Sequence, residues 1–392
     1  MIKLYRYAGI CLAFGLLSAC SSTPETKPAL ADLPLLPHSE LLVQASAEVP
    51  DLEQIFGLTA QQRQTFLRYF NAPEHQELPA RKRLYNFLSS LTAGFDYQGK
   101  NYTASEAFAR RSGNCISLAV LTKALADIAG IEIKFQNIIS APVYDIQDGY
   151  LLSSDHVRTF LFEPDFVSKQ GNDYFLQSVL VVDYLPSAGD ITGPRISEPR
   201  FIAMFYRNLA TDAVLQEDYP RALALLNTAL QYDPTYGAVI NLTAVLHRRL
   251  EQAGLAEQFY QYGLQVSDSK IALTDNYALL KQLNGEHAAA EQLRRSLLAK
   301  NDADPYLWYL LGKTALQQRR PADAVNYLRK AITRAPYMHQ LYLELAVAHY
   351  QNNQFGYAKR TLEKAAELAN GRDTQQRYYA KLEAIKLSAD TN

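Results

Sequence analysis

Small apolar residues recur at a fixed period through the second half of the chain. The clearest series has alanine every 34 residues, at Ala222, Ala256, Ala290, Ala324 and Ala358. Two further series share the period: Ala210, Ala244, Ala278, Gly312 and Ala346, and Ala229, Gly263, Leu297, Ala331 and Ala365. A constant period of this length is typical of stacked helix–turn–helix units. Small residues let the two helices of a unit approach closely, so the pattern predicts an all-α solenoid.

The phase of these series divides the array into five units. They cover about residues 203–236, 237–270, 271–304, 305–338 and 339–370. Gly254 is predicted to separate the two helices of the second unit, and Pro234 and Pro336 mark turns between units. A polar segment from Gln375 to Leu387 predicts a last helix, within 371–392, that covers the apolar end of the stack.

The fourth unit has the fullest set of repeat residues: Trp308, Leu311, Gly312, Ala324, Leu328, Ala331 and Pro336. With these residues the array resembles the tetratricopeptide repeat (TPR) family. The resemblance implies that residues 201–370 are five TPR repeats whose concave groove binds a protein or peptide partner. By family position the candidate groove residues are Arg207, Asn241, Arg248, Tyr309, Lys313 and Tyr350. The alternative for each of them is an ordinary solvated side chain.

Upstream of the array, helical patterns come first and strand patterns follow. Thr59–Gln62 and Thr103–Glu106 each fit a capping box at the start of a helix. A further helix is predicted from Cys115 to Gly130, because glycine is a common stop signal. Alternating apolar residues predict strands at Ile131–Phe135, Val157–Phe162 and Ser178–Asp183, with a loop over 143–155. Residues 41–200 are therefore predicted to form an α+β domain.

The N-terminus has the pattern of an export signal followed by a linker. Lys3 and Arg6 precede an apolar stretch, which is too short to span a bilayer. The stretch ends in Leu17-Ser18-Ala19-Cys20, which resembles the lipobox of bacterial lipoproteins. The resemblance implies a signal peptide at 1–19, a lipid on Cys20 and a Pro-rich tether over 20–40. Since Ser21 follows the cysteine, it implies an outer membrane lipoprotein of a Gram-negative bacterium, facing the periplasm. The alternative is an ordinary secretory signal.

Composition narrows the class of partner. The formal net charge of the 392 residues is −1 with both signs mixed, so no nucleic-acid surface is expected. Membrane contact is expected through the N-terminal lipid anchor only. Cys11 would leave with the signal and Cys20 would be lipidated, which leaves Cys115 as the only thiol of the mature chain. The sequence has no nucleotide motif and no metal-ligand spacing, so we expect no cofactor and no metal.

Cys115, His156 and Asp183 combine residue types and positions that suit thiol chemistry. Cys115 falls in the first turn of its predicted helix, where main-chain N–H groups and the helix dipole stabilise a thiolate. His156 begins one predicted strand and Asp183 ends the next, so their side chains can meet on one face of antiparallel strands. An imidazole held by a carboxylate can act as base toward a thiol. Asn101 and Tyr102 are candidate side-chain donors to an oxyanion.

The order Cys, His, Asp and the surrounding residues resemble the transglutaminase-like superfamily. The matching segments are Arg111-Ser112-Gly113-Asn114-Cys115, Asp155-His156-Val157 and Val181-Val182-Asp183. The spacing is 41 residues from Cys115 to His156 and 27 from His156 to Asp183. The resemblance implies that these three residues are catalytic. Tyr184 departs from the family pattern, which usually has Pro after the Asp. The chain is thus predicted to be an α+β papain/transglutaminase-like domain followed by an all-α TPR solenoid.

Three functions remain open from the sequence. The first is a cysteine peptidase or amidase, which attacks protein or peptide substrates that the TPR array holds. The second is a non-catalytic scaffold of the cell envelope that binds a partner through the array. The third is an acyltransferase that passes the acyl group to an amine and so crosslinks proteins.

Overall fold

We describe a computed structural model of the chain over residues 33–97, 100–139, 145–147, 150–152, 156–163, 179–184, 190–300, 304–369 and 372–389. Cys20 and the predicted signal peptide lie outside the described residues, as do Asp155 and the turn at Asp148 and Gly149. Within the described part, no helix has both the length and the apolar character that crossing a membrane requires.

The region upstream of the array consists of short and medium helices around one long buried helix. The helices are α1 (Glu40–Gln44), α2 (Leu52–Phe56), α3 (Ala60–Phe70), α4 (Ala80–Thr92), α5 (Ala104–Arg110) and α6 (Cys115–Ala129). The capping boxes predicted at Thr59 and Thr103 are both present. α6 ends at Gly130, whose φ of 66° is left-handed, as the sequence predicted.

The strands form one sheet and two small pairs. They are β1 (Asp96–Tyr97), β2 (Ser112–Gly113), β3 (Ile133–Ile139), β4 (Asp145–Gln147), β5 (Tyr150–Leu152), β6 (His156–Phe162), β7 (Val179–Asp183) and β8 (Ile191–Ile196). The four-stranded sheet is antiparallel with the order β7-β6-β3-β8. β1 and β2 pair in parallel, and β4 pairs with β5 within the segment that the sequence predicted to be a loop.

β8 was not predicted, because Gly193 and Pro194 interrupt its pattern. Its edge position explains why it tolerates them: proline lacks the N–H that a central strand needs. Gly193 also permits a close approach, since a Cβ there would lie 2.7 Å from the carbonyl oxygen of Asn137 on β3.

The C-terminal half is five consecutive helix pairs and a final helix. The pairs are α7 (Glu198–Leu215) with α8 (Tyr219–Tyr232), α9 (Gly237–Arg249) with α10 (Ala253–Val266), α11 (Ile271–Leu283) with α12 (His287–Ala299), α13 (Pro305–Gln317) with α14 (Pro321–Arg334), and α15 (His339–Gln351) with α16 (Phe355–Leu368). The final helix, α17, spans Arg372–Ala389 and packs on α16. α7 begins before the predicted start at 203, because Ser197 caps it and Pro199 stands in its first turn.

The small-residue series lie where the helices of the array meet. All their alanines are buried. A Cβ on Gly312 would come within 2.6 Å of Leu328 Cγ, and one on Gly263 within 2.9 Å of Leu273 Cδ1. The period in the sequence is therefore a period of close helix contact.

The turns inside the units follow the same period in their backbone conformation. One residue of each turn is left-handed: Glu217, Glu251, Gly285, Arg319 and Asn353, with φ between 55° and 80°. The prediction that Gly254 separates the helices of the second unit is wrong, because Gly254 lies inside α10 and the turn is centred on Glu251. Only the third unit has glycine at the left-handed position.

One hydrophobic cluster extends from the upstream region into the array. It runs from Leu42 through α6 and the sheet to Leu280 in the third unit. At the join, the rings of Phe135 on β3 and Phe201 on α7 stack at 4.0 Å. A second cluster, around Trp308, belongs to the later units. The first units are thus built onto the sheet rather than linked to it by a tether.

Candidate functional site

Cys115 is the first residue of α6 and is buried. It forms no disulfide within the described part of the chain. The residue before it, Asn114, caps the helix: Asn114 Oδ1 accepts the Ser117 N–H at 2.9 Å and the Ser117 hydroxyl at 3.1 Å. Gly113 has a φ of +143°, and a Cβ there would lie 2.8 Å from Ser117 Cβ. Glycine is therefore required for the chain to enter α6 at this angle.

His156 and Asp183 meet at neighbouring strand ends. His156 Nε2 lies 3.1 Å from Asp183 Oδ1, and the imidazole is only 7% exposed. In the register of β6 and β7, Asp183 stands opposite Arg158, so the His156–Asp183 contact is diagonal on one face. This hydrogen bond occupies Nε2 and leaves Nδ1 as the nitrogen available for proton transfer.

Cys115 and the His156–Asp183 pair lie at the same end of the sheet. α6 ends at Gly130 and β3 begins at Ile133, so β3 runs back along α6. Helix and strand have similar lengths, on the order of 23 Å. The end of β3 therefore lies near the start of α6, and His156 pairs with Ile138 at that end. Val157 and Thr159 are buried and alternate with His156, so His156 belongs to the other face of β6 at the end of the sheet where α6 begins.

Two tyrosines connect these residues. Tyr97 on β1 donates its hydroxyl to the carbonyl oxygen of Tyr184, which follows Asp183, at 2.9 Å. Burial and then the charge of the Cys115 thiolate raise the pKa of Tyr97. The pKa of Tyr184 is raised strongly by burial, and the nearby charges of Cys115 and Asp183 add to this. Both phenols therefore stay protonated and keep the hydrogen bonds that they donate to other partners near the thiol.

Tyr184 also explains the departure from the expected Pro. Its hydroxyl lies 2.8 Å from Thr159 Oγ1 on β6 and donates to Thr122 Oγ1 on α6 at 2.9 Å. The buried side chain thus links α6, β6 and β7 through hydrogen bonds that proline could not make.

Asp190 is a further acidic residue at this end, and no sequence pattern pointed to it. Ligand atoms of His156, Asp183 and Asp190 lie within 4.8 Å of one another, a spacing that could hold a metal ion. The expectation from the sequence that the protein binds no metal can therefore be tested at this group of three residues. Asp190 precedes the edge strand β8, which the sequence pattern did not reveal.

The two candidate oxyanion donors have other partners. The Asn101 side-chain amide donates to Asp212 Oδ2 at 3.4 Å, and its oxygen accepts from Asn114 and Asn208. The Tyr102 N–H donates to Ser117 Oγ at 2.8 Å, and its ring lies under the Arg110 guanidinium. The main-chain N–H groups of the first turn of α6 belong to the same turn as Cys115 and are further candidate donors.

The six candidate groove residues are spread along the array in different environments. Arg207 Nη1 donates to the neighbouring Asn208 Oδ1 at 3.1 Å, and Asn241 Oδ1 accepts from Asn276 Nδ2 at 3.0 Å. Arg248 Nε has no hydrogen-bond partner among the described residues.

In the later units, Tyr309 is buried, and Lys313 Nζ lies 3.5 Å from Glu344 Oε1. Tyr350 is 38% exposed and packs edge-on against Phe355. Of these three residues, Tyr350 is the most exposed, and the role of all six in binding stays a prediction.

The fourth unit reaches the end of the sheet that carries the candidate site. α13 contacts β5, the second strand of the pair that precedes His156. Tyr306 on α13 is 4% exposed, and burial, Tyr337 and then Asp190 raise its pKa to about 12. The array therefore begins on the four-stranded sheet at α7 and comes back to the upstream region at α13, through the β4–β5 pair.

Comparison with known proteins identifies the array. The tetratricopeptide repeat family matches residues 279–339 and residues 315–384. The C-terminal region consists of TPR repeats. A TPR array mediates protein interaction, so this half of the molecule is a protein-binding module.

Three solved structures illustrate the similarity. Pseudomonas aeruginosa pilF has 18% identity and a TM-score of 0.31, over 48% of this chain and 94% of its own. YrrB, described as a TPR protein with an unusual peptide-binding site, has 15% identity and a TM-score of 0.27, over 45% and 92%. A TPR protein from Parabacteroides merdae has 17% identity and a TM-score of 0.30, over 47% and 71%. The comparison with curated proteins gives no match.

Proposed function

We propose that this protein is a thiol-dependent hydrolase of the transglutaminase-like type, whose TPR array holds the protein or peptide substrate. The observation that carries the proposal is the 3.1 Å contact between His156 and Asp183 at the end of the sheet where α6 begins with Cys115. A thiol at a helix start, an imidazole and a carboxylate that orients it are the parts that acyl chemistry needs.

In the proposed reaction, His156 Nδ1 takes the proton of the Cys115 thiol, and the sulfur attacks the carbonyl carbon of an amide. The main-chain N–H groups of the first turn of α6 stabilise the oxyanion. His156 then gives this proton to the amine, the bond between the carbonyl carbon and the amine breaks, and the acyl group stays on the Cys115 sulfur as a thioester. Water, deprotonated by His156, then attacks the thioester and releases the acid and the thiol. Asp183 holds the imidazole in the required tautomer throughout.

The test measures the thiol and the turnover in the same variants. Alkylation of Cys115 by iodoacetamide, followed on its tryptic peptide by mass spectrometry, should already be rapid at pH 6 and should slow in His156→Ala. Hydrolysis of a peptide library should disappear in Cys115→Ala and fall about 10²-fold or more in His156→Ala, since general base catalysis contributes at least that much. His287→Ala changes an exposed histidine of the array and is the matched control.

A Cys115 thiol that reacts only above about pH 8.5, and equally in His156→Ala, would mean that the site does not activate the sulfur. The non-catalytic scaffold would then be the function, because the TPR array alone supports protein binding. Incorporation of a labelled amine into acceptor protein, with little hydrolysis, would instead identify the crosslinking acyltransferase.

The proposed location is the periplasmic face of the outer membrane, with a lipid on Cys20. The support is the Leu17-Ser18-Ala19-Cys20 segment. Labelled palmitate should enter the wild-type protein in a Gram-negative host and should not enter Cys20→Ala. Equal labelling of both proteins would refute the lipid anchor.

A further inference from the structure

Asn101 joins the start of α6 to the first helix of the array. Asn114 Nδ2 donates to Asn101 Oδ1 at 2.8 Å, and Asn208 Nδ2 on α7 donates to the same oxygen at 3.1 Å. Asn101 Nδ2 donates to Asp212 Oδ2, also on α7, at 3.4 Å. Asn101 is thus held from the array side by two residues and holds the residue before Cys115.

The bond to Asn101 fixes which way the Asn114 amide points. Asn114 must present its oxygen to the N–H and hydroxyl of Ser117 in order to cap α6. Since Asn101 Oδ1 accepts, it selects the orientation in which the Asn114 nitrogen points outward and its oxygen points to the helix. Asn114 and Asn208 are buried, so water does not readily replace a lost bond.

We propose that Asn101 is a positioning residue for Cys115, and that through it α7 of the TPR array sets the orientation of the first turn of α6. The stabilisation of a thiolate depends on how the first N–H groups and the cap are aligned with the sulfur. Asn101 takes part in no bond change of the reaction. This inference rests on the proposed function in one respect: it takes the Cys115 thiolate to be the nucleophile of the proposed reaction.

The test is the pH profile of Cys115 alkylation in the full chain, read on the Cys115 peptide because Cys11 and Cys20 also carry thiols. In Asn101→Ala the midpoint should move toward higher pH, and the rate at pH 6 should fall about fivefold or more. Asn101→Asp keeps the accepting oxygen for Asn114 and Asn208 but replaces the donor to Asp212 Oδ2 with a second carboxylate. Its melting temperature should fall because the two carboxylates repel each other, and the added negative charge should raise the midpoint.

Two further variants separate positioning from general damage. Asn208→Ala removes one bond from α7 and leaves the Asn101–Asn114 bond, so the midpoint should move in the same direction by a smaller amount. Asn276→Ala removes a similar bond, from Asn276 Nδ2 to Asn241 Oδ1 at 3.0 Å between α11 and α9. Its alkylation profile should equal that of the wild type.

An unchanged midpoint in a folded Asn101→Ala protein overturns the proposal. If Asn101→Ala does not fold, the Asn208→Ala profile decides in the same way, and an equal shift in Asn276→Ala also overturns it. The difference in alkylation midpoint between the variants and the wild type tests the role of Asn101. The wild-type alkylation midpoint itself, together with the turnover, tests the proposed function. The two can therefore fail separately.

Discussion

The array and the region upstream of it are stabilised by contacts of different range. In the array each helix packs mainly on its neighbours in sequence, and small residues recur where they touch, as Ala222 and Ala324 do. Upstream, the contacts that form the candidate site join distant segments: Tyr97 with Tyr184, Asn101 with Asn208, and His156 with Asp183. Contacts between neighbouring helices that repeat along the chain are visible in the sequence as a period. A contact between two distant segments leaves no such pattern.

The two regions nevertheless share a hydrophobic cluster, and the largest expected effect concerns the place where they join. Phe201→Ala removes the ring that stacks on Phe135 and should lower the free energy of unfolding by about 3–5 kcal/mol. The measurement is urea unfolding followed by circular dichroism. Phe355→Ala, at a partly buried position in the last unit, is the matched control. A loss no larger than in the control would mean that the sheet and the array are stabilised independently.

The second cluster predicts that the later units unfold separately. Leu328→Ala leaves a cavity beside Gly312 and should cost about 2–5 kcal/mol. Trp308, the only tryptophan, lies in this cluster, so its fluorescence reports on these units alone. In urea the fluorescence transition of Leu328→Ala should move to lower concentration, while the alkylation rate of Cys115 should begin to change at the same urea concentration as in the wild type. A shift of both signals to the same lower concentration would indicate one cooperative unit.

A smaller effect is expected from acid, and it is confined to the array. Burial lowers the pKa of His247, although the hydrogen bond that His247 Nδ1 donates to Gln252 Oε1 opposes this, and burial likewise lowers the pKa of His349. The unfolded chain then binds protons that the folded chain does not, so stability is complete above about pH 6.5 and falls as the pH drops below it.

The melting temperature should therefore decrease between pH 7.5 and pH 5.5, and His247→Phe should reduce this decrease. Phenylalanine keeps the stacking on Phe259, which lies 5.2 Å from the His247 ring. His287→Phe, at an exposed position, should leave the decrease unchanged. An equal decrease in the wild type and in His247→Phe would show that the buried imidazole is not responsible.

The smallest effect concerns the left-handed turn residues. Glu251→Gly removes the cost of a left-handed side-chain residue and should stabilise the protein by about 1 kcal/mol. Gly285→Ala at the corresponding position should destabilise it by a similar amount. Chemical denaturation of the two variants measures both changes, and opposite signs are the result that supports the assignment of this position.

The sequence predicted the array well because its period reflects direct helix contacts. It also predicted α6, for which Gly130 is a strong local stop signal, and the structure adds that Asn114 caps the start. It missed β8 because Gly193 and Pro194 break the alternation that defines a strand, and edge position cannot be inferred from alternation. The turn in the second unit was placed wrongly at Gly254 because glycine often marks a turn, whereas the left-handed residue of the actual turn is Glu251.

In the candidate site, residue types and order were enough to name Cys115, His156 and Asp183, and the last two are in contact. Their catalytic role stays a prediction. The roles of Tyr184 and Asp190 depend on the pairing of β6 with β7 and on the path into β8. Such tertiary information has no counterpart in spacing, which is why both residues went unrecognised.

The return of α13 to β5 limits how this molecule could change over evolution. In an open solenoid, a repeat can be duplicated or lost and the remaining units still stack. Here α7 is attached to the sheet through Phe201, and α13 touches the strand pair next to His156. Deleting the second or third unit would shift α13 away from β5 by the length of one repeat. We therefore expect the number of units between the two attachments to be constrained wherever both attachments are kept.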